Sequence, residues 1–269
     1  MSAPLHVVEG DYVRDIMDQP RALEETLRRL SSSPALEGVA RGVTEGRYSR
    51  VALTGMGSSY HGLHPLHLRL VNAGVSSVMV ETSELLHYQP RLLEEGTLLV
   101  LVSQSGRSAE IVRVLQAAGS GVETLAITNT ADSPLAEQAT AVVLTHAGEE
   151  ATVACKTHLA TQMALVWLGT RLTDGDHEDT RQALAATIPA VRQYVEGWRA
   201  HVEDLATSLE GVRAVYYVGR GPSLGAVCSA GLITKESTHR PSEGLGSAAF
   251  RHGPMVMLGD HVFVMVFAG

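Results

Sequence analysis

Short apolar runs recur through the middle of the chain, separated by mixed polar segments. RVALTG from Arg50, SVMVE, LLVLVS, TLAIT and AVVLT each have the length and aliphatic density of a strand buried on both faces. Between them, His61–Val71, Ser108–Ala118 and Ser133–Gln138 are long enough for helices, and Thr152–Leu172 reads as a longer one. Strands alternating with helices predict an α/β fold whose parallel sheet has right-handed crossovers and helices on both faces.

The flanks differ. Asp11–Leu30 spaces its apolar residues helically among charges, which predicts an amphipathic helix or helical pair on the outside. Asp176–Leu209 is polar with an apolar stripe including Ile188, Val191, Tyr194, Val195 and Trp198, and reads as one long connecting helix. The strand–turn–helix grammar then restarts with RAVYYVG, the turn RGPS, a helix to about His239, and the apolar run HVFVMVFAG. The divisions are 1–49, an N-terminal helical segment; 50–175, a first module; 176–209, the connection; and 210–269, a partial second module. The first module needs about 120 residues and the second has only about 60, so on the order of 60–90 further residues are expected.

Composition narrows the setting. The chain has 269 residues, 45% hydrophobic, enough to bury real cores. A formal charge of −8 argues against general nucleic-acid or membrane-surface binding. No apolar run approaches the roughly 20 residues of a membrane span, and MSAPLHVVEGDYVRD does not have the pattern of a secretory signal. Cys155 and Cys228 lie far apart without metal-ligand spacing, which fits a reduced cytoplasm. Among 21 basic residues the only lysines are Lys156 and Lys235, so amine chemistry has few candidates.

The chemistry concentrates where strands end. RVALTG runs into Gly55, Met56, Gly57, Ser58 and Ser59, and LLVLV runs into Ser103, Gln104, Ser105 and Gly106, with Ser108 beyond. Both loops put small hydroxyls and backbone N–H groups at helix N-termini, where partial positive charge favours an anion. Helix capping, worth about 1 kcal/mol per serine, would also explain such residues singly. Two such loops after neighbouring strands favour a phosphate site. The first is neither a P-loop nor GxGxxG, and it has no lysine, which points to a phosphorylated small molecule.

In order along the chain, GMGSSYH, VSQSGRSAE, GEEATVACKTHLATQ, GRGPS and FRHGP resemble the sugar isomerase (SIS) domain family, above all the isomerase half of glucosamine-6-phosphate synthase and the related deaminases. The resemblance covers nearly the whole chain and implies tandem three-layer αβα modules with parallel, flavodoxin-like sheets, the second incomplete. It implies that Gly57, Ser58, Ser59, Ser103, Gln104, Ser105 and Ser108 bind the substrate, with the hydroxyls on its phosphate, and that Val153, Ala154 and Cys155 close over the sugar. Glu236 and His252 match the family's catalytic pair, sixteen residues apart. A carboxylate raised by burial suits proton transfer between C1 and C2, and an imidazole suits ring opening. The resemblance further implies a homodimer in which His252 reaches the partner's pocket, no metal and no organic cofactor.

Departures and bland readings qualify this. The synthase pattern has serine at Cys155 and lysines at Thr157 and Ile233, and its Schiff-base lysine lies in a C-terminal tail beyond the residues matched here. These differences leave a non-catalytic sugar-phosphate-binding module as the alternative to an isomerase or deaminase. Lys235 reads as an ordinary exposed helix residue, and Glu149 and Glu150 as caps of the following helix. His61, His64 and His67 have no acidic or cysteine partner nearby and give no metal site. For His87 and His158 an approach to the sugar pocket stays open, and nothing in the sequence settles it.

Overall fold

A computed structural model describes residues 10–268. Residues 1–9 of the N-terminal segment, and Gly269 at the end of the last apolar run, lie outside the described residues.

The chain opens with a helical pair, α1 (Asp11–Met17) and α2 (Gln19–Arg29), followed by α3 (Pro34–Thr44), whose cap Ser33 accepts a hydrogen bond from Leu36 N. The first parallel unit is β1 (Arg50–Gly55), α4 (Gly57–His61), α5 (His64–Asn72), β2 (Ser77–Glu81), α6 (Thr82–Tyr88), a 3-10 turn at Pro90–Leu93, β3 (Thr97–Val102), α7 (Ala109–Ala117), β4 (Glu123–Thr128), α8 (Pro134–Gln138) and β5 (Ala141–Leu144). Its five strands are all parallel in the order β2-β1-β3-β4-β5. This is the doubly wound, flavodoxin-like order, whose switch point lies between β1 and β3.

All five expected strands are present. Their continuous apolar runs exist because both faces are covered. Leu53, Leu98, Val100, Leu125 and Ile127 meet α2, α3, α5 and α9 (Lys156–Leu172) on one face, while Ala52, Leu99, Leu101 and Ala126 meet α6, α7 and α8 on the other. A fully buried leucine contributes about 1.5–3 kcal/mol, so this central block anchors the loops at its carboxyl ends.

Three helix expectations need correction. His61–Val71 is not one helix: α4 ends at His61 and α5 starts at His64. The helix expected from Thr152 begins only at Lys156, because Cys155 at its cap is non-helical (φ −138°, ψ −73°). The connection is two helices, α10 (His177–Glu196) and α11 (Trp198–Ser208), separated at Gly197, which leaves the helical basin at φ −93°, ψ 6°.

The second parallel sheet comprises β6 (Ala214–Gly219), β7 (Ser242–Gly246) and β8 (Val262–Val266) in the order β7-β6-β8. Between them run α12 (Ser223–Thr238), α13 (Ser247–Arg251) and a 3-10 turn at Pro254–Met257. The succession strand, helix, strand, short helix, 3-10 turn, strand repeats that of β1 to β3, with the same central-left-right placement. Strand β7, SEGLG, carries no apolar run and was not expected. It forms because α12 packs directly on its backbone: a Cβ on Gly231 would stand 2.5 Å from Gly244 N, and one on Gly244 would stand 2.1 Å from Val227 O.

Candidate active site

The two hydroxyl-rich loops leave adjacent strand ends. Gly55 of β1 pairs with Val102 of β3, so Gly57–Ser59 and Ser103–Ser108 flank the crevice at the switch point, where ligands of such sheets bind. Gly57 takes φ +52° to turn the chain into α4, and Ser58 and Ser59 occupy its first turn, half-buried.

The second loop is held by its own backbone groups. Ser103 is buried, and its Oγ accepts from Gly106 N at 3.1 Å. Ser105 Oγ accepts from Arg107 N at 3.3 Å. The Gln104 carbonyl accepts from Asn129 N at 3.0 Å and Thr128 Oγ1 at 3.2 Å, which leaves the Gln104 side chain outside that tie. Gly106 is required: it has φ +61°, and a Cβ there would meet Ser133 Oγ at 2.2 Å. Ser108 stands at the N-cap of α7 but makes no side-chain cap bond. Capping therefore does not account for Ser108.

Beyond β5 the chain runs through Val153 and Ala154, half-buried, to the buried Cys155 at the head of α9. Glu150 caps that helix, as expected: it accepts from Cys155 N at 2.8 Å and Thr157 N at 3.1 Å, and from the Thr157 hydroxyl. Burial, with the Glu150 carboxylate beside it, pushes the Cys155 thiol up to about 12, so it stays a neutral thiol and not a nucleophile.

Glu236 stands near the end of α12, and its neighbourhood is set by a residue the sequence did not single out. Tyr12 of α1 lies half-buried there beside Cys155, its phenol raised by burial and by the Glu150 and Glu236 carboxylates, with an opposing hydrogen bond from Ser237. Tyr12 thus joins α12 to the 150–155 segment at the carboxyl end of the first sheet. Helix α1 is fixed in that position. Lys156 Nζ lies 2.8 Å from Asp15 and 3.1 Å from Asp18, and Asp15 accepts from Ala151 N at 2.8 Å. Burial opposes the Lys156 charge, but the two aspartates outweigh it and hold the ammonium above its ordinary value. Lys156 is a structural cation, not a free amine.

One expectation is not met: Glu236 is exposed in one chain, not buried as expected of a base. His252 is exposed as well, and the chain does not bring it to Glu236. Thr234 of α12 bonds Tyr217 of β6 at 2.7 Å, whereas Phe250 of α13 packs on Tyr216 with ring centroids 5.7 Å apart. Successive strand residues point to opposite faces. Glu236 and His252 therefore belong to helical segments on opposite faces of the second sheet.

The other histidines separate. His67 bonds Ser77 through Nδ1 at 3.1 Å, away from the crevice, whereas His61 faces Lys235 and His158. Tyr12 was not singled out from sequence, since α1 reaches α12 and the 150–155 segment only through tertiary packing. The two serine loops flank the switch point, and Glu236 lies near Tyr12 together with Glu150 and Cys155.

Residues 47–170 match the SIS domain profile. Over 267 residues the chain is 28% identical to the isomerizing glutamine–fructose-6-phosphate aminotransferase of Pyrococcus horikoshii, covering 97% of this chain and 44% of that protein. It is 31% identical over 267 residues to the enzyme of the same name from Symbiobacterium thermophilum, covering 94% and 44% respectively. The chain therefore spans less than half the length of these relatives. Among solved structures, a Silicibacter pomeroyi protein provisionally designated a phosphosugar isomerase superposes with a TM-score of 0.83 at 28% identity, covering 97% of this chain and 79% of that one. The C-terminal domain of the glucosamine–fructose-6-phosphate aminotransferase of Francisella tularensis shares the fold, with a TM-score of 0.79 at 19% identity, over 98% and 77%. The first sheet and its loops belong to the SIS domain family.

Proposed function

We propose that the chain is a phosphosugar isomerase or deaminase acting on a hexose 6-phosphate or amino-hexose 6-phosphate. The observation that supports this reading is the pair of hydroxyl-rich loops leaving adjacent strands β1 and β3 at the switch point, with Glu236 near the 150–155 segment through Tyr12. Ser58, Ser59, Ser103, Gln104, Ser105 and Ser108 hold the phosphate by hydroxyls and backbone N–H groups. Gly57 lets the backbone approach it, and Val153, Ala154 and Cys155 enclose the sugar. Glu236 removes a proton from one of C1 and C2 and returns it to the other. Bound substrate and a second chain supply the enclosure that Glu236 lacks in one chain.

His252 acts from a second copy of the chain, donating or accepting the proton that opens the sugar ring. Its place on the far face of the second sheet from Glu236 supports this reading. The enzyme is a homodimer, and two free cysteines suit a reducing cytoplasm. Thr157 and Ile233, and the engagement of Lys156 by two aspartates, leave no free amine for a Schiff base among these positions.

The test is a screen of hexose 6-phosphates and their 2-amino forms, reading thermal shift and product formation together. Stabilisation with turnover supports the enzyme. Stabilisation by the same compounds without turnover selects a sugar-phosphate-binding regulator.

A further inference from the structure

Helix α12 packs along α4, and two close contacts fix how. Near the start of α12, a Cβ on Gly225 would stand 2.7 Å from the His61 carbonyl oxygen at the end of α4. Two turns later, Leu232 Cδ2 lies 3.3 Å from where a Cβ on Gly57, the first residue of α4, would be. The two helices therefore run in opposite directions, and α12 reaches the start of α4 at Leu232.

Gly225, Leu232 and Glu236 follow one another at intervals of seven and four residues, so they share one face of α12. Ser229, between the first two on that face, is buried. Exposure then rises along the face: Leu232 is half-buried and Glu236 is exposed. Four residues of helix advance about 6 Å. Glu236 consequently stands one turn beyond the start of α4, on the side of the loop that leaves β1. Its exposure is that of a group just past the edge of a contact. Gly57, with φ +52° and no side chain, leaves the space that Leu232 occupies.

We propose that Leu232 is a positioning residue for the proton transfer: seated in the space left by Gly57, it sets where Glu236 stands relative to the loop that holds the phosphate. This rests on the phosphosugar reading of the site. One contact thereby links the two ends of the substrate, because Gly57 leads into Ser58 and Ser59 while Leu232 leads, one turn on, to Glu236. Leu232 acts through Glu236 and not on the substrate. Shortening it frees α12 to shift on α4, and proton transfer loses rate steeply when the base is misplaced. The serine loops keep their own backbone ties, so phosphate binding is spared.

The experiment measures kcat, KM and C2-proton exchange in deuterated buffer on the full chain, with fructose 6-phosphate and glucosamine 6-phosphate. The proteins are wild type, Leu232→Ala, Leu232→Met and Val227→Ala. Leu232→Ala is expected to lower kcat and exchange by between about tenfold and about a hundredfold, while KM changes less than about twofold. Leu232→Met, of similar volume, is expected to restore most of that loss. Val227→Ala, which removes a buried contact with Gly219 of β6, is expected to lower stability and leave kcat unchanged. If Leu232→Ala does not fold, Leu232→Val takes its place, with a smaller loss of the same kind expected. An unchanged kcat at position 232, a parallel rise in KM, no restoration by methionine, or an equal loss of kcat in Val227→Ala overturns the inference alone. A wild type that neither turns over nor exchanges either compound removes the phosphosugar reading, and the inference with it.

Discussion

Tyr216 and Tyr217, consecutive in β6, carry the two expected catalytic residues on opposite sides of one sheet. Tyr217 bonds Thr234, two residues before Glu236, and Tyr216 packs on Phe250, two residues before His252. No side-chain rotation brings Glu236 and His252 together, because a sheet lies between their helices. We propose that a site using both is built from two chains.

The loop after β3 gives a prediction about phosphate. Ser105→Ala should weaken sugar-phosphate binding by about 1.5–3 kcal/mol, the range for a hydrogen bond to a charged group. Affinity for the unphosphorylated sugars should barely change. Calorimetry with both ligand types checks it, and equal losses would show that this loop does not read phosphate.

Glu236→Gln should leave binding nearly intact but abolish exchange of the C2 proton with solvent deuterium. The amide keeps shape and hydrogen bonding but cannot accept the proton. Proton NMR of the substrate in deuterated buffer reads the exchange directly; undiminished exchange would assign the base elsewhere.

The buried cation gives a prediction about stability. Lys156→Met leaves Asp15 and Asp18 without their counter-ion and should cost about 3–5 kcal/mol in urea unfolding. Asp15 is held below the ordinary aspartate range: burial opposes its charge, but the Ala151 N–H and Lys156 outweigh that. Asp18 is held low by Arg21 first, against burial, and by Lys156. A depressed carboxylate stabilises the fold above its unfolded value. That contribution should disappear as pH falls below about 3.9 and through the lower folded values. Unfolding of wild type and Lys156→Met across that window should show the wild-type curve falling more steeply.

His158 acts in a higher window. Its folded value, about 4, lies below the ordinary histidine value of about 6.5, so the unfolded chain binds the extra proton first. Stability should decline as pH falls from about 6.5 toward 4, and His158→Ala should flatten that slope. An unchanged slope, measured by urea unfolding at several pH values, would show that this ring is not held neutral by the fold.

The first sheet was legible because burial on both faces demands unbroken apolar strands, and RVALTG, LLVLVS and TLAIT have no other reading. The serine loops were legible because hydroxyls cluster where strands stop. Strand β7 was not, since SEGLG gives up side chains so that α12 can touch its backbone. The break at Gly197 was hidden by an apolar stripe that continues across it. Tyr12 was invisible, and the placement of His158 was left open, for another reason. They lie on α1 and α9, whose mutual placement rests on Lys156 finding Asp15 and Asp18, the first of these contacts spanning 141 residues from 15 to 156. The exposure of Glu236 was equally out of reach, because residue type says nothing of enclosure.

The central claim is that one chain's Glu236 works with another chain's His252. The direct measurement mixes Glu236→Gln and His252→Ala variants, each inactive alone, under conditions that exchange subunits, and assays isomerase or deaminase turnover on the hexose 6-phosphate found by the screen. In a mixed dimer one site has lost both groups and the other has kept both. With random exchange, half the dimers are mixed and carry one intact site of two, so activity should return to about one quarter of wild type. A mixture that stays as inactive as its components, while mass spectrometry shows mixed dimers present, would contradict the account.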